Sequence, residues 1–213
     1  MHRHHKNVTQ AGKPLAEANY AMIMVHGRGA APVNILEVAN LLPVDDFALL
    51  APAAAANTWY PYSFMAPTVD NEPGLSTGLG VIKQIVDEAV EAGIPTENIY
   101  LLGFSQGACL SAEFLARNAK RYGGAFLYSG GLIGPKIDRS PYQGDFQGTP
   151  ILLGCSDIDA HVPLHRVQDS TQVLRDMGAE VDERIYPNAP HTIFKDEIEA
   201  TIEVLNQNKI QSF

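Results

Sequence analysis

The 213-residue chain is 46% hydrophobic and 18% charged, the balance of a globular domain with a sizeable core rather than a disordered segment. Its formal net charge of −9 argues against a nucleic-acid partner, which needs a basic surface, and gives no attraction to an anionic membrane. Cys109 and Cys155 lie far apart, form no C-x-x-C pair and read as reduced thiols, so a cytoplasmic protein is expected.

In chain order, Met1-His2-Arg3-His4-His5-Lys6 leads into no apolar signal core, and no run approaches the ~18 apolar residues of a membrane helix. Residues 1–7 read as a flexible, solvated tail whose three histidines lack carboxylate or cysteine companions for a metal. Residues 8–17 suit a short antiparallel edge hairpin turning at Gly12-Lys13. Apolar runs at 20–25, 47–51, 98–102, 124–129, 150–154 and 181–186 read as strands. Between them, 34–42, 74–93, 108–116, 164–177 and 194–205 read as helices. Leu79, Ile82, Val86 and Ala89 show the three-and-four stepping of an amphipathic face. The 108–116 segment is apolar nearly all round, which predicts a buried central helix.

Strand and helix alternating from residue 20 predict one α/β domain spanning 1–213, with a mostly parallel central sheet, helices on both faces and a minimal cap domain or none. The loops 52–72 and 130–148 are long and rich in Gly, Pro and aromatic residues. In an open parallel sheet the ligand site lies at the carboxyl ends of the strands, where both loops would border it.

Three local patterns carry chemistry. Gly103-Phe104-Ser105-Gln106-Gly107 follows the strand 98–102 and opens a helix, the context in which a serine on a tight turn is lifted toward substrate. Ser105 is therefore the candidate nucleophile, with the backbone amide of Gln106 facing a developing oxyanion. His26-Gly27-Arg28-Gly29 closes the strand 20–25 and supplies a second amide, that of Arg28; His26 itself reads as a loop-holding residue. A serine needs a base, and the base an orienting carboxylate. His191 stands between two prolines and the last helix, directly after the last strand. Asp157 and Asp159 alone follow a strand at the carboxyl edge, and spacing does not choose between them. The chain order Ser, Asp, His is that of the α/β-hydrolase fold. A zinc site from Asp157, Asp159, His161 and His165, with Cys155 nearby, is the weaker reading, because Pro163 starts the helix after 162. No metal or cofactor is expected.

These motifs, with Ser156-Asp157-Ile158-Asp159-Ala160-His161-Val162-Pro163 as an acid loop, resemble the phospholipase/carboxylesterase family of α/β-hydrolases, which includes acyl-protein thioesterases and small bacterial carboxylesterases. The resemblance spans nearly the whole chain. It implies Ser105, Asp159 and His191 as catalytic triad, oxyanion amides at Arg28 and Gln106, and Asp157 as a supporting residue. It departs from acyl-protein thioesterases at Arg28, where they carry an apolar residue. The expected reaction is hydrolysis of short- to medium-chain or aromatic carboxylic esters; lysophospholipase or thioesterase activity is the alternative. A catalytically silent fold binding a small ligand is the reading from a different class. Trp59, Tyr60, Phe64 and Met65, in a run holding four aromatic side chains, are expected to wall the acyl pocket. The expected partner is a small ester, without nucleic acid or stable membrane association, and a homodimer is left open.

Overall fold

The computed structural model describes residues 3–211. Seven strands form one sheet: β1 (Val8–Gly12), β2 (Tyr20–Val25), β3 (Phe47–Pro52), β4 (Ile99–Phe104), β5 (Gly124–Tyr128), β6 (Pro150–Ser156) and β7 (Glu180–Tyr186). Their spatial order is β1-β3-β2-β4-β5-β6-β7, with β1 antiparallel to β3 and every other pair parallel. Every residue of β2 and β3 is buried, as strands covered on both faces must be. At the far edge β7 is half-exposed and carries Glu180, Asp182, Glu183 and Arg184, charges that discourage pairing with another chain.

Side-chain alternation divides the core into two layers. Ala21, Ile23 and Val25 of β2 face one layer, together with α2 (Gly74–Glu91), α3 (Gln106–Arg117) and α4 (Leu164–Asp176). Tyr20, Met22 and Met24 face the other, covered by α1 (Pro32–Leu36) and α5 (Lys195–Gln211). Helices thus lie on both faces of the sheet. The segment from Gln106 through Ala116 is buried without interruption, so the all-round apolar stretch is indeed the central helix. Pro163 caps α4 as its position before the helix implied.

Three local expectations are corrected. The edge hairpin does not form: β1 pairs with β3 instead, and after Gly12 the chain turns into a 3-10 helix at Leu15–Glu17. Gly12 sits at φ 70, where a Cβ would lie 2.3 Å from the Phe47 carbonyl oxygen, and Pro14 removes a donor that a second strand would need. The 34–42 helix is a short α1 continued by a 3-10 helix at Glu37–Leu41, ending before Leu42-Pro43 because proline disfavours a helical predecessor. Residues 3–7 are not a solvated tail at His4. That side chain is buried; its Nε2–H donates to the Trp59 carbonyl at 2.7 Å and its Nδ1 accepts the Ala55 amide at 3.0 Å. Met1 and His2 lie outside the described residues. Among the described residues no α-helix stands between β5 and β6; the loop 129–149 makes that crossover.

Candidate active site

The turn between β4 and α3 holds Ser105 at φ 55, ψ −119, a conformation that costs a non-glycine residue of order 1–3 kcal/mol. The flanking glycines make it attainable. A Cβ on Gly107 would lie 2.0 Å from the Val25 carbonyl oxygen, and one on Gly103 would lie 2.6 Å from the Gly107 carbonyl oxygen. The Ser105 amide donates to the Tyr128 carbonyl at 2.9 Å, anchoring the turn to β5. Gln106 opens α3, in the first turn where amide N–H groups have no intrahelical acceptor. Its side chain has a use the motif did not disclose: Oε1 accepts the Trp59 amide and Nε2 donates to the Tyr60 carbonyl, each at 2.9 Å. The aromatic loop is thereby tied to the Ser105 turn.

At the carboxyl ends of β6 and β7, His191 Nδ1–H donates to Asp159 Oδ2 at 2.5 Å. Asp159 Oδ1 accepts the amides of His161 at 2.8 Å and Val162 at 3.0 Å. Burial alone would raise the Asp159 pKa. The hydrogen bond from His191 and the two amides outweigh it, holding the carboxyl below its ordinary value. The Cys155 thiol sits 3.6 Å from the same Oδ2, and burial pushes its pKa up, so it stays protonated. Of the two aspartates that spacing left open, Asp159 is the one in contact with the His191 ring. Asp157 does not reach the ring; its Oδ1 accepts the Asn188 amide at 2.8 Å, and its own amide donates to the Tyr186 carbonyl, fastening the loop that presents His191.

His26 holds its loop as its position suggested. Nδ1–H donates to the Gly27 carbonyl at 2.8 Å and Nε2 accepts the Ala54 amide at 3.2 Å. Burial lowers its pKa and keeps it neutral.

Ser105, His191, Arg28 and Gln106 border one cavity of about 690 Å³ at this edge of the sheet. Of the four residues expected to wall the pocket, Tyr60 and Phe64 line this cavity and Trp59 and Met65 do not. Trp59 is fully buried beneath the loop, its indole N–H donating to the His26 carbonyl at 2.9 Å and its ring packed against His4 and His26. Met65 is partly buried and packs on the core. An indole with a buried donor goes where an acceptor is, here under the oxyanion loop. The cavity is also bordered by Phe104 and His161, which were not anticipated. Both rings stand 5.0 Å from that of His191, one tilted and one edge-on. Their signal was positional: Phe104 is the variable residue of the serine motif and His161 belongs to the acid loop. The zinc reading loses its donors, since Asp159 is engaged with His191 and His165 borders a separate cavity beside Lys136 and Asp169.

The phospholipase/carboxylesterase family profile matches residues 5–209. The chain belongs to that family. A crystal structure of a phospholipase/carboxylesterase from Dyadobacter fermentans is 44% identical, with a TM-score of 0.95 over 96% of this chain and 99% of that one. A probable carboxylesterase, SOBER1-like, from Arabidopsis thaliana is 26% identical over 68% of this chain; the match spans 57% of that protein's length. Acyl-protein thioesterase 1 of Kluyveromyces lactis is 28% identical over 63% of this chain and 60% of its own length. The Bacillus cereus carboxylesterase, 17% identical, shares the fold with a TM-score of 0.76. This is the mostly parallel α/β-hydrolase sheet that the alternating pattern predicted. No helix among the described residues is long and apolar enough to cross a membrane.

Beneath the His191 loop lies a buried carboxyl that no motif marked. Glu197 Oε2 accepts the Phe194 amide at 2.7 Å, while Oε1 rests against Gly154 of β6 without a hydrogen-bond partner among the described residues. Burial raises its pKa to about 7. The native state therefore keeps a proton that the unfolded chain releases near the ordinary glutamate value. Stability from this group is present at low pH, declines as pH rises toward about 7, and then levels off. Glu197→Gln retains an acceptor for Phe194 without a charge. It is expected to be more stable than wild type at pH 8, by up to about 3 kcal/mol, with the difference shrinking at pH 5. Urea unfolding at the two pH values measures this, and a pH-independent difference would refute it.

Proposed function

We propose that the chain is a serine hydrolase that cleaves short- to medium-chain or aromatic carboxylic esters through an acyl-Ser105 intermediate. The observation that carries this reading is that His191, held by Asp159 at 2.5 Å, borders the same cavity as a strained, glycine-flanked Ser105. Asp159 accepts Nδ1–H, which leaves Nε2 as the basic nitrogen of His191. As Ser105 Oγ attacks the ester carbonyl, Nε2 takes its proton. The tetrahedral oxyanion is held by the amides of Arg28 and Gln106, whose donors do work only once charge develops. The intermediate collapses, the C–O bond breaks, and the alcohol leaves with the proton from Nε2. Water attacks the acyl-serine with the same base, releasing the acid and restoring Ser105.

No step needs a metal or cofactor. A cavity of about 690 Å³ is within the usual range for small-molecule sites and supports a small ester rather than a macromolecular substrate. Cys109 and Cys155, both free and buried, support a cytoplasmic setting. Kinship with acyl-protein thioesterases keeps long-chain deacylation as the second reading.

A series of p-nitrophenyl esters from acetate to palmitate separates the two. Here kcat/KM is expected to peak below about ten carbons, because longer chains need an extended apolar groove. A peak beyond that length favours deacylation. No turnover at any length, with no labelling of Ser105 by a fluorophosphonate, would leave a ligand-binding fold and overturn the enzyme reading.

A further inference from the structure

The chain carries 24 acidic residues against 15 lysines and arginines, yet among the described residues no aspartate or glutamate borders the cavity around Ser105, and Arg28 is the one permanently charged residue that does. The guanidinium is strapped to the aromatic loop by neutral acceptors only: Nη1 donates to Thr58 Oγ1 at 3.1 Å and to the Pro61 carbonyl at 3.0 Å, and Nη2 donates to the Tyr62 carbonyl at 2.6 Å. It lies 6.0 Å from the centroid of Tyr60, another lining ring. Carbonyls and a hydroxyl satisfy N–H groups without cancelling the charge. Three of the five guanidinium hydrogens are used, which leaves Nε–H and one Nη2–H. The result is a cation fixed by neutral acceptors at the wall of a cavity that no carboxylate lines.

We propose that Arg28 makes this cavity selective for esters that carry an ionised carboxylate besides the scissile group. The proposal rests on the esterase reading above and adds the substrate class. A carboxylate entering the cavity would exchange water for a charge-assisted hydrogen bond to a donor already held in place, so little ordering is needed. The residue is a specificity determinant through its side chain, distinct from the role of its backbone amide. A contact made remote from the reacting carbonyl acts alike on bound substrate and transition state, so the preference falls mainly in KM.

The test compares pairs matched in length and shape. On the acyl side, 4-nitrophenyl hydrogen adipate is set against 4-nitrophenyl hexanoate; on the alcohol side, butyryloxyacetate is set against isobutyl butyrate. In wild type at low salt, kcat/KM for the anionic member of at least one pair is expected to exceed that of its neutral partner about tenfold or more, and the ratio to shrink as salt is added. Arg28→Gln also releases the strap on Thr58, Pro61 and Tyr62, so both members of a pair can fall. The readout is their ratio, expected to drop to within about twofold, while Arg28→Lys retains part of it because the charge survives without the planar fork.

A second readout needs no turnover: calorimetric titration of Ser105→Ala with monomethyl adipate and with methyl hexanoate, where the anionic ester is expected to bind more tightly. Ratios near one for both pairs in wild type, or a preference that survives Arg28→Gln, overturn the proposal while leaving the esterase reading intact. Tighter binding of monomethyl adipate by a protein that hydrolyses nothing would overturn the esterase reading and leave the anion selectivity standing.

Discussion

Ser105→Ala is expected to lower kcat for p-nitrophenyl esters by roughly 10⁴-fold or more, with the fold unchanged. Alanine keeps the Cβ that the turn already accommodates at φ 55, so the strain of the elbow and its amide bond to Tyr128 persist. What disappears is Oγ, the only protein atom in the proposed mechanism that bonds to the acyl carbon. The oxyanion amides and the cavity remain, so residual catalysis over water should survive, as nucleophile removal in serine hydrolases generally leaves some. Steady-state kinetics paired with thermal unfolding measures both halves. Activity within tenfold of wild type in a folded variant would mean that Ser105 is not the nucleophile.

Gly107→Ala carries the largest expected effect on stability. The new methyl would sit 2.0 Å from the Val25 carbonyl oxygen and 2.6 Å from that of His26. These are backbone atoms of β2 and of the oxyanion loop, so no rotamer change relieves the clash; α3 would have to move away from β2. A loss on the order of 4 kcal/mol or more is expected, a large share of the roughly 5–15 kcal/mol that holds a domain together. Gly80→Ala is the contrast. Gly80 lies within α2, its Cβ would meet nothing within 4 Å, and the substitution should gain up to about 1 kcal/mol from helix propensity. Chemical denaturation of the two variants tests the pair. Gly107→Ala unfolding within 1 kcal/mol of wild type would contradict the close packing of α3 on β2.

Much of this architecture was legible because it is written in short-range patterns. The continuous apolar runs of β2 and β4 mark strands covered on both faces, and the nearly all-round apolar character of 108–116, broken only by Ser111 and Glu113, marks the helix under the serine. Glycines at 103 and 107 around Ser105 announced a turn that only a strained geometry and a close helix–strand contact require. The order of serine, aspartate and histidine followed from which residues come directly after which strands. Each of these signals is read from its immediate neighbours in the chain, the range over which backbone periodicity and sterics dictate conformation.

The rest depended on partners far apart in the chain. That Asp159 and not Asp157 meets His191 follows from the parallel register of β6 and β7, which brings residue 159 beneath a ring 32 positions away while Asp157 turns to Asn188. Trp59 left the pocket wall because its indole found the His26 carbonyl, and His4 left solvent for the Trp59 carbonyl and the Ala55 amide. Buried donors and acceptors must be paired, and which pairings are available is settled only when the sheet brings distant loops together. The sequence by itself determined the fold class, the strained turn at Ser105 and the candidate residues. The tertiary structure decided which carboxylate meets His191 and which rings and cation border the cavity, because hydrogen-bond partners separated by tens of residues leave no local trace in the chain.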